Sequence, residues 1–194
     1  MPDIIKILTP EVSNKIAAGE VVQRPSSVLK ELLENSIDAN SSKIKIIIKN
    51  AGKNLIQVID DGIGMSRNDM YKSFIKHATS KINKIDDVFS INSMGFRGEA
   101  LAAISSVSMI EMSSAKLNEN DGYFIEINGG KVITEKELIG NKGTSVKVQN
   151  LFYNVPARRN FLKSDFVELR HIICLLYTSD AAAEGWRGGG GGGR

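Results

Sequence analysis

The sequence predicts an α+β fold in which helices cover one face of a mixed, mostly antiparallel β-sheet. Two observations support this fold class. Patterns typical of amphipathic helices dominate residues 9–40, and three or four segments with strand-like alternation follow one another from Val107 onward. Helices and strands that are separated along the chain in this way pack as two layers. A chain of 194 residues is long enough for one domain with a sizeable core.

The first two predicted helices begin at proline residues. Thr9 and Pro10 combine a capping side chain with a proline at the first helical position. We expect this helix to continue until Gly19 interrupts it. A second helix follows Arg24, starts at Pro25 and ends near Asn40.

A β-hairpin and a short helix are predicted next. Residues 43–49 and 54–60 both alternate between apolar and polar side chains, and the turn between them contains glycine. Ser66 and Asp69 then have the spacing of a capping box, which predicts a helix that begins at this serine.

The second half of the chain is predicted to be mainly strands. A short, tightly packed helix is expected at residues 100–105, and another begins near Asp165. The predicted strands are residues 107–114, 122–129, 131–138 and 143–152.

The composition changes after Cys174. The chain from Leu175 loses its helical periodicity and contains a run of six glycines, Gly188 to Gly193, which no core can use. The sequence therefore predicts one domain at residues 1–174 and a glycine-rich, disordered tail at residues 175–194.

The bulk properties are those of a soluble globular protein. The chain is 42% hydrophobic and 24% charged, and its net charge of +3 permits contact with nucleic acid without arguing for it. The single cysteine, Cys174, cannot form an internal disulfide. We see no signal peptide and no stretch of about 20 apolar residues, so we expect no membrane contact and a cytoplasmic location.

The stretch ELLENSIDA carries an unusual polar stripe on the second helix. Glu31, Asn35 and Asp38 recur at i, i+4 and i+7 and therefore share one face. The apolar arc behind them consists of Val28, Leu29, Leu32, Leu33 and Ile37. A solvated face would mix lysine with glutamate and has little use for a central asparagine, so this stripe is either a wet surface or the wall of a site.

Two glycine-containing loops are further candidates. In DDGIGM, Asp60 can accept a hydrogen bond from an exocyclic amine, and Gly62 and Gly64 permit close approach of a ligand. A plain aspartate-glycine turn fits these six residues equally well. The loop SMGFRGEAL, residues 93–101, combines exposed N–H groups at a helix start with Arg97 and suits an anion. A glycine-rich loop without a catalytic role is the alternative. Neither a Walker A nor a Rossmann fingerprint occurs.

Three weaker motifs complete the set. HATSK, residues 77–81, resembles a polar helix end, and NKGT, residues 141–144, resembles a turn before a strand. We expect PARRNFLK, residues 156–163, to be the solvated start of a helix. The alternative is a patch that contacts phosphate through Arg158, Arg159 and Lys163.

The order of these motifs resembles that of the Bergerat-fold ATPases. The chain has, in this order, a helix with a glutamate and an asparagine, an aspartate-glycine turn, a glycine-arginine loop and a late Gly-Thr pair. Three longer segments are similar to MutL-type DNA mismatch repair proteins: IAAGEVVQRPSSVLKELLENSIDA, HATSKI and GFRGEALAAISSVS. The resemblance extends over residues 4–173. It implies the two-layer Bergerat fold, ATP and Mg²⁺ as cofactors, and an N-terminal fragment of such a protein.

The resemblance also implies a role for individual residues. Glu31 corresponds to the general base that activates water, and Asn35 to the ligand of Mg²⁺. Asp60 corresponds to the adenine-binding aspartate, with Gly62 and Gly64 making room for the base. Thr144 supports this aspartate. The residues that correspond to the lid over the triphosphate are Gly95, Phe96, Arg97, Gly98 and Glu99. The residues that correspond to the phosphate side of the site are Thr79, Ser80 and Lys81.

The function implied is slow, Mg²⁺-dependent ATP hydrolysis, in which ATP binding orders the lid and drives N-terminal dimerisation. A mismatch-recognition protein and DNA are the further partners implied. The family's second domain supplies a lysine to the γ-phosphate and does not fit in this chain, so we expect weak hydrolysis. Alternatives are a non-hydrolysing, ATP-gated interaction module and another family member such as a type II topoisomerase subunit or a sensor kinase. The location implied is bacterial cytoplasm, or the nucleus of a eukaryote.

Overall fold

The computed structural model describes residues 9–75, 78, 99–116, 121–139 and 142–188. In these ranges the helices are α1 (Pro10–Val21), α2 (Pro25–Asp38), α3 (Arg67–Ser73), α4 (Ala100–Ser106), α5 (Pro156–Phe161) and α6 (Asp165–Gly188). The strands are β1 (Ile44–Lys49), β2 (Leu55–Asp60), β3 (Met109–Ala115), β4 (Asp121–Asn128), β5 (Lys131–Ile139) and β6 (Gly143–Gln149). The predicted hairpin is confirmed, as is the capping box at α3, where the Asp69 N–H donates to Ser66 Oγ over 3.1 Å.

The six strands form one sheet in the order β1-β2-β6-β3-β4-β5. All pairings between these strands are antiparallel, so the described sheet lacks the parallel pair that a mixed sheet would contain. Strand β6, the last in sequence, lies between β2 and β3. This insertion brings the end of β2, the start of β6 and the end of β3 side by side.

The core lies between the sheet and the helices. One face of the sheet contributes alternate residues, among them Ile56, Val58, Ile110, Met112, Val146 and Val148. Helix α2 contributes Val28, Leu29, Leu32 and Leu33, all of which are at least 94% buried. Burial of each such side chain contributes about 1.5–3 kcal/mol, so the apolar arc anchors α2 firmly to the sheet. The predicted two-layer α+β class is confirmed.

Helix α6 packs against α2 and the short 3₁₀ turn that joins β1 to β2. Lys53 in this turn donates from Nζ to the Lys163 carbonyl over 2.7 Å and pairs with Asp165 at 2.8 Å. These contacts tie the start of α6 to the hairpin.

Three details differ from the sequence prediction. Helix α1 continues through Gly19 to Val21, so this glycine does not end the helix. Ile37, placed in the apolar arc, is 40% exposed because it lies in the last turn of α2, where the helix leaves the sheet. Helix α6 extends to Gly188, so its backbone is helical where a disordered tail was expected after Cys174. The domain boundary at residue 174 stays a prediction.

Candidate functional site

The polar stripe of α2 lies on the side of the helix away from its apolar arc. Glu31 and Asp38 are half-buried, while Asn35 is exposed. Four residues of an α-helix rise about 6 Å, so Glu31 and Asn35 are separated by roughly one turn of a rigid element. Both groups are therefore held at a fixed spacing by the buried side of the same helix.

The carboxylate of Asp60, at the end of β2, is surrounded by three hydrogen-bond donors. Its Oδ1 atom accepts from the backbone N–H of Gly62 over 3.0 Å and from that of Thr144 over 3.3 Å. Its Oδ2 atom accepts from the hydroxyl of Ser36 over 2.9 Å. Because each carboxylate oxygen has about two acceptor positions, Oδ2 retains one lone pair for a further donor.

Ser36 connects the polar stripe to this carboxylate. It follows Asn35 on α2 and is 97% buried because it points towards the sheet. Its hydrogen bond to Asp60 joins the helix that carries Glu31 to the strand end that carries the predicted adenine acceptor. The sequence pattern does not indicate Ser36, because nothing local shows which strand end its hydroxyl meets.

The two glycines of the DDGIGM turn pack against protein. A side chain at Gly62 would lie 2.7 Å from Cβ of Ala39 and 2.8 Å from Oγ of Ser41. At Gly64, where φ is +68°, it would lie 2.0 Å from the carbonyl oxygen of Ala115. Both glycines are thus required by close approach of the turn to its neighbours. Their predicted role beside a nucleobase stays a prediction.

Thr144 lies directly opposite Asp60 in the β2–β6 pair and supports the carboxylate through its backbone N–H. Its hydroxyl is 2.9 Å from that of Ser114 on β3. Ser114 is 98% buried and accepts a hydrogen bond from the Met65 N–H over 2.8 Å. Sequence analysis did not identify Ser114, because only the strand register places it beside Thr144.

The remaining predicted site residues fall into two groups. Glu99 is half-buried and immediately precedes α4, at its N-cap position. The others lie outside the described residues: Thr79, Ser80, Lys81, Gly95, Phe96, Arg97 and Gly98. The structure joins Asp60 directly to Ser36 of α2 and to Thr144 of β6. Glu31 and Asn35 lie on the same helix as Ser36, and their place in one site stays a prediction.

The three basic residues of PARRNFLK do not form one outward-facing patch. The half-buried guanidinium of Arg158 lies against Gly19 and donates to the carbonyl of Ile16 over 3.4 Å. Arg159 and Lys163 are exposed. No helix within the described ranges has both the length and the apolar character needed to cross a membrane.

Curated proteins similar to this chain are MutL proteins. "DNA mismatch repair protein MutL" of Christiangramia forsetii is 57% identical over 173 residues, which is 89% of this chain and 28% of that protein. The corresponding protein of Chlorobium phaeobacteroides is 54% identical over 166 residues, 86% of this chain and 27% of that protein. The chain thus spans less than a third of the length of these relatives.

Solved structures agree with this similarity. The Aquifex aeolicus MutL ATPase domain complexed with ADP has a TM-score of 0.61 and 32% identity, over 80% of this chain and 54% of that chain. The N-terminal domain of a DNA repair protein has a TM-score of 0.69 and 28% identity, over 84% of this chain and 46% of that chain. The resemblance to MutL-type ATPase domains inferred from the motifs is confirmed.

The family match covers the whole constellation around Asp60. The family described as histidine kinase-, DNA gyrase B- and HSP90-like ATPase matches residues 23–151, a segment that contains α2, the DDGIGM turn and Thr144. Since this segment is well over half of the sequence, the chain belongs to the histidine kinase-, DNA gyrase B- and HSP90-like ATPase family.

Proposed function

We propose that the chain binds ATP between α2 and the strand ends at Asp60 and Thr144, and hydrolyses it with Mg²⁺. The activity would serve a MutL-type DNA mismatch repair protein. The observation that carries this proposal is the 2.9 Å hydrogen bond from Ser36 to Asp60. It fixes the predicted base-recognition group relative to Glu31 and Asn35. The ADP complex of the Aquifex aeolicus relative supports a nucleotide as the ligand.

The residues present fit a purine nucleotide. The free lone pair on Oδ2 of Asp60 suits the exocyclic amine of adenine, and the three donors already in place keep this carboxylate oriented. The turn after Asp60 is held by the Met65–Ser114 hydrogen bond. The position of the acceptor is therefore set before a ligand arrives, which reduces the ordering cost of binding.

The residues also fit a magnesium ion that arrives with the phosphates. The exposed amide of Asn35 offers an oxygen ligand, and Mg²⁺ commonly takes only one or two protein ligands beside water and phosphate oxygens. No cluster of three or more acidic, histidine or cysteine side chains suited to a metal occurs in the described parts of the chain. When bound, the ion neutralises charge on the phosphates.

Glu31 is the proposed general base. It would take a proton from the water that attacks the γ-phosphate, and its place on the anchored helix α2 orients that water. Phosphoryl transfer depends mainly on positioning and charge stabilisation, which a rigid helix anchored by Leu32 and Leu33 provides.

Replacement of Glu31 tests the proposal directly. We expect Glu31→Gln to lower ATP turnover by roughly 10²–10⁴-fold, the usual contribution of a general base, with nearly unchanged ATP affinity. Turnover is measured by phosphate release and affinity by calorimetry. Glu126→Gln makes the same chemical change on the outer face of the sheet and serves as the matched control. Equal turnover in Glu31→Gln and wild type would instead favour a non-hydrolysing, ATP-gated module.

We further propose that ATP binding orders the segment around Gly95–Glu99 and promotes dimerisation of two copies. Loop ordering by the γ-phosphate is an established mode of switching. In support, Glu99 directly precedes α4, and α4 packs against α1. The resemblance supports a role for Thr79, Ser80 and Lys81 on the phosphate side of the site. It also supports contacts with a mismatch-recognition protein and with DNA. The MutL relatives favour this assignment over a topoisomerase subunit.

A further inference from the structure

Three side chains from adjacent strands form a row on the helix side of the sheet. Asp60 of β2 is opposite Thr144 of β6, and Thr144 is opposite Ser114 of β3. Residues directly opposite each other project from the same face of a sheet. Thr144 is 91% buried and Ser114 is 98% buried, so both hydroxyl groups must find hydrogen-bond partners within the protein or the ligand.

The contacts of Ser114 determine where its proton points. Its Oγ atom accepts from the Met65 N–H at 2.8 Å and lies 3.1 Å from the carbonyl oxygen of Gly143 and 2.9 Å from Oγ1 of Thr144. A hydroxyl has one proton and two lone pairs. The Gly143 carbonyl can only accept, so Ser114 donates to it. The second lone pair of Ser114 then accepts from the Thr144 hydroxyl. This assignment satisfies all three contacts at once.

The consequence for Thr144 is that its proton is directed away from Asp60. Only lone pairs of its hydroxyl remain for a ligand. The carboxylate of Asp60 is likewise an acceptor, with Oδ1 already occupied by two N–H donors and Oδ2 by one hydroxyl. Asp60 and Thr144 therefore form a wall that accepts hydrogen bonds and donates none.

We propose that Ser114 is a specificity-determining residue: by fixing the Thr144 hydroxyl proton, it makes this wall select a nucleobase with an exocyclic amine over one with a carbonyl. This inference rests on the proposed nucleotide site at Asp60. An amine donates to the wall, whereas a carbonyl oxygen would face other acceptors and stay unpaired. Unpaired polar groups of this kind are the strongest basis for discrimination between similar ligands.

The test compares ATP with inosine triphosphate, in which the exocyclic amine is replaced by a carbonyl and N1 carries a proton. The dissociation constants of both nucleotides are measured by calorimetry for wild type and Ser114→Ala. Without Ser114, the Thr144 hydroxyl is free to turn its proton towards the carbonyl. We expect the preference for ATP to fall about tenfold, the scale of one hydrogen bond. Ser113→Ala, on the opposite face of β3, is the matched control and should keep the wild-type ratio.

A second variant keeps the test decisive if Ser114→Ala loses its fold, as monitored by circular dichroism. Thr144→Val removes the hydroxyl but preserves the shape of the side chain. The exocyclic amine of ATP therefore loses an acceptor, and the carbonyl of inosine triphosphate loses a lone pair that opposes it. The preference for ATP should fall here too. Wild type that binds neither nucleotide would contradict the proposed function itself. If wild type prefers ATP and the folded variants keep the same preference, the proposed role of Ser114 is wrong.

Discussion

Two neighbouring aspartates at the end of β2 have different tasks. Asp60 faces the helices and is held by donors from α2, the following turn and β6. Asp61 faces the opposite way and accepts from the backbone N–H and hydroxyl of Ser42 and from the Lys43 N–H, over 2.6–2.8 Å. Asp60 is the proposed ligand acceptor, and Asp61 closes the turn between α2 and β1.

The turn contacts of Asp61 predict a pH-dependent contribution to stability. The Ser42 hydroxyl, followed by the Lys43 N–H, holds the pKa of Asp61 below its ordinary value of 3.8. The unfolded chain has the ordinary pKa, so the carboxylate stabilises the fold above that value, and this contribution is lost as pH falls through the lower folded pKa. We expect Asp61→Asn to lower Tm at pH 7, with a difference from wild type that narrows below pH 3.8.

Thermal unfolding across pH measures this difference, and Asp121→Asn at the start of β4 is the exposed control. A Tm difference between Asp61→Asn and wild type that is constant from pH 7 to pH 3 would show that the carboxylate charge has no part in the turn.

At the scale of elements, the contact between α5 and α1 accounts for a glycine inside a helix. An added Cβ at Gly19 would lie 1.7 Å from Nη2 and 2.4 Å from Cζ of Arg158. Alanine is otherwise favoured over glycine in a helix by about 1 kcal/mol. The glycine thus admits the guanidinium that links the two helices.

This contact predicts non-additive effects of two substitutions. In wild type, Gly19→Ala must displace the Arg158 guanidinium, and that loss offsets the gain in helix propensity. In an Arg158→Ala background we expect Gly19→Ala to be more favourable, by about 1 kcal/mol. Urea unfolding of the four proteins in the double-mutant cycle gives the free energies of unfolding. Equal effects of Gly19→Ala in both backgrounds would contradict the proposed contact.

At the scale of the whole molecule, the site depends on segments that are distant in sequence. Ser36, Asp60, Ser114 and Thr144 come from α2, β2, β3 and β6, and only the insertion of β6 between β2 and β3 joins them. The chain covers 54% of the Aquifex aeolicus MutL ATPase domain complexed with ADP. In the proposed function, the resemblance implies that a lysine of a second domain contacts the γ-phosphate.

We therefore expect this chain to bind ATP but to hydrolyse it more slowly than the longer Aquifex aeolicus domain, with both assayed at the same temperature and magnesium concentration. A bound γ-phosphate without that lysine lacks one stabilising charge in the transition state. Nucleotide binding measured alongside separates weak catalysis from failure to bind. Equal turnover of the two proteins would show that the residues present here suffice.

The sequence by itself determined most of the helices and strands, the apolar arc of α2 apart from Ile37, and the identity of the family, because periodicity, caps, turns and long motifs are local properties. It also placed Glu31 and Asn35 one turn apart. The tertiary structure alone decided that Ser36 meets Asp60 and that the hydroxyl groups of Ser114 and Thr144 lie 2.9 Å apart. Cross-strand register and helix docking depend on packing between distant segments, so no local pattern contains them. The same reason explains why the local pattern wrongly predicts a helix end at Gly19: its partner, Arg158, lies far along the chain.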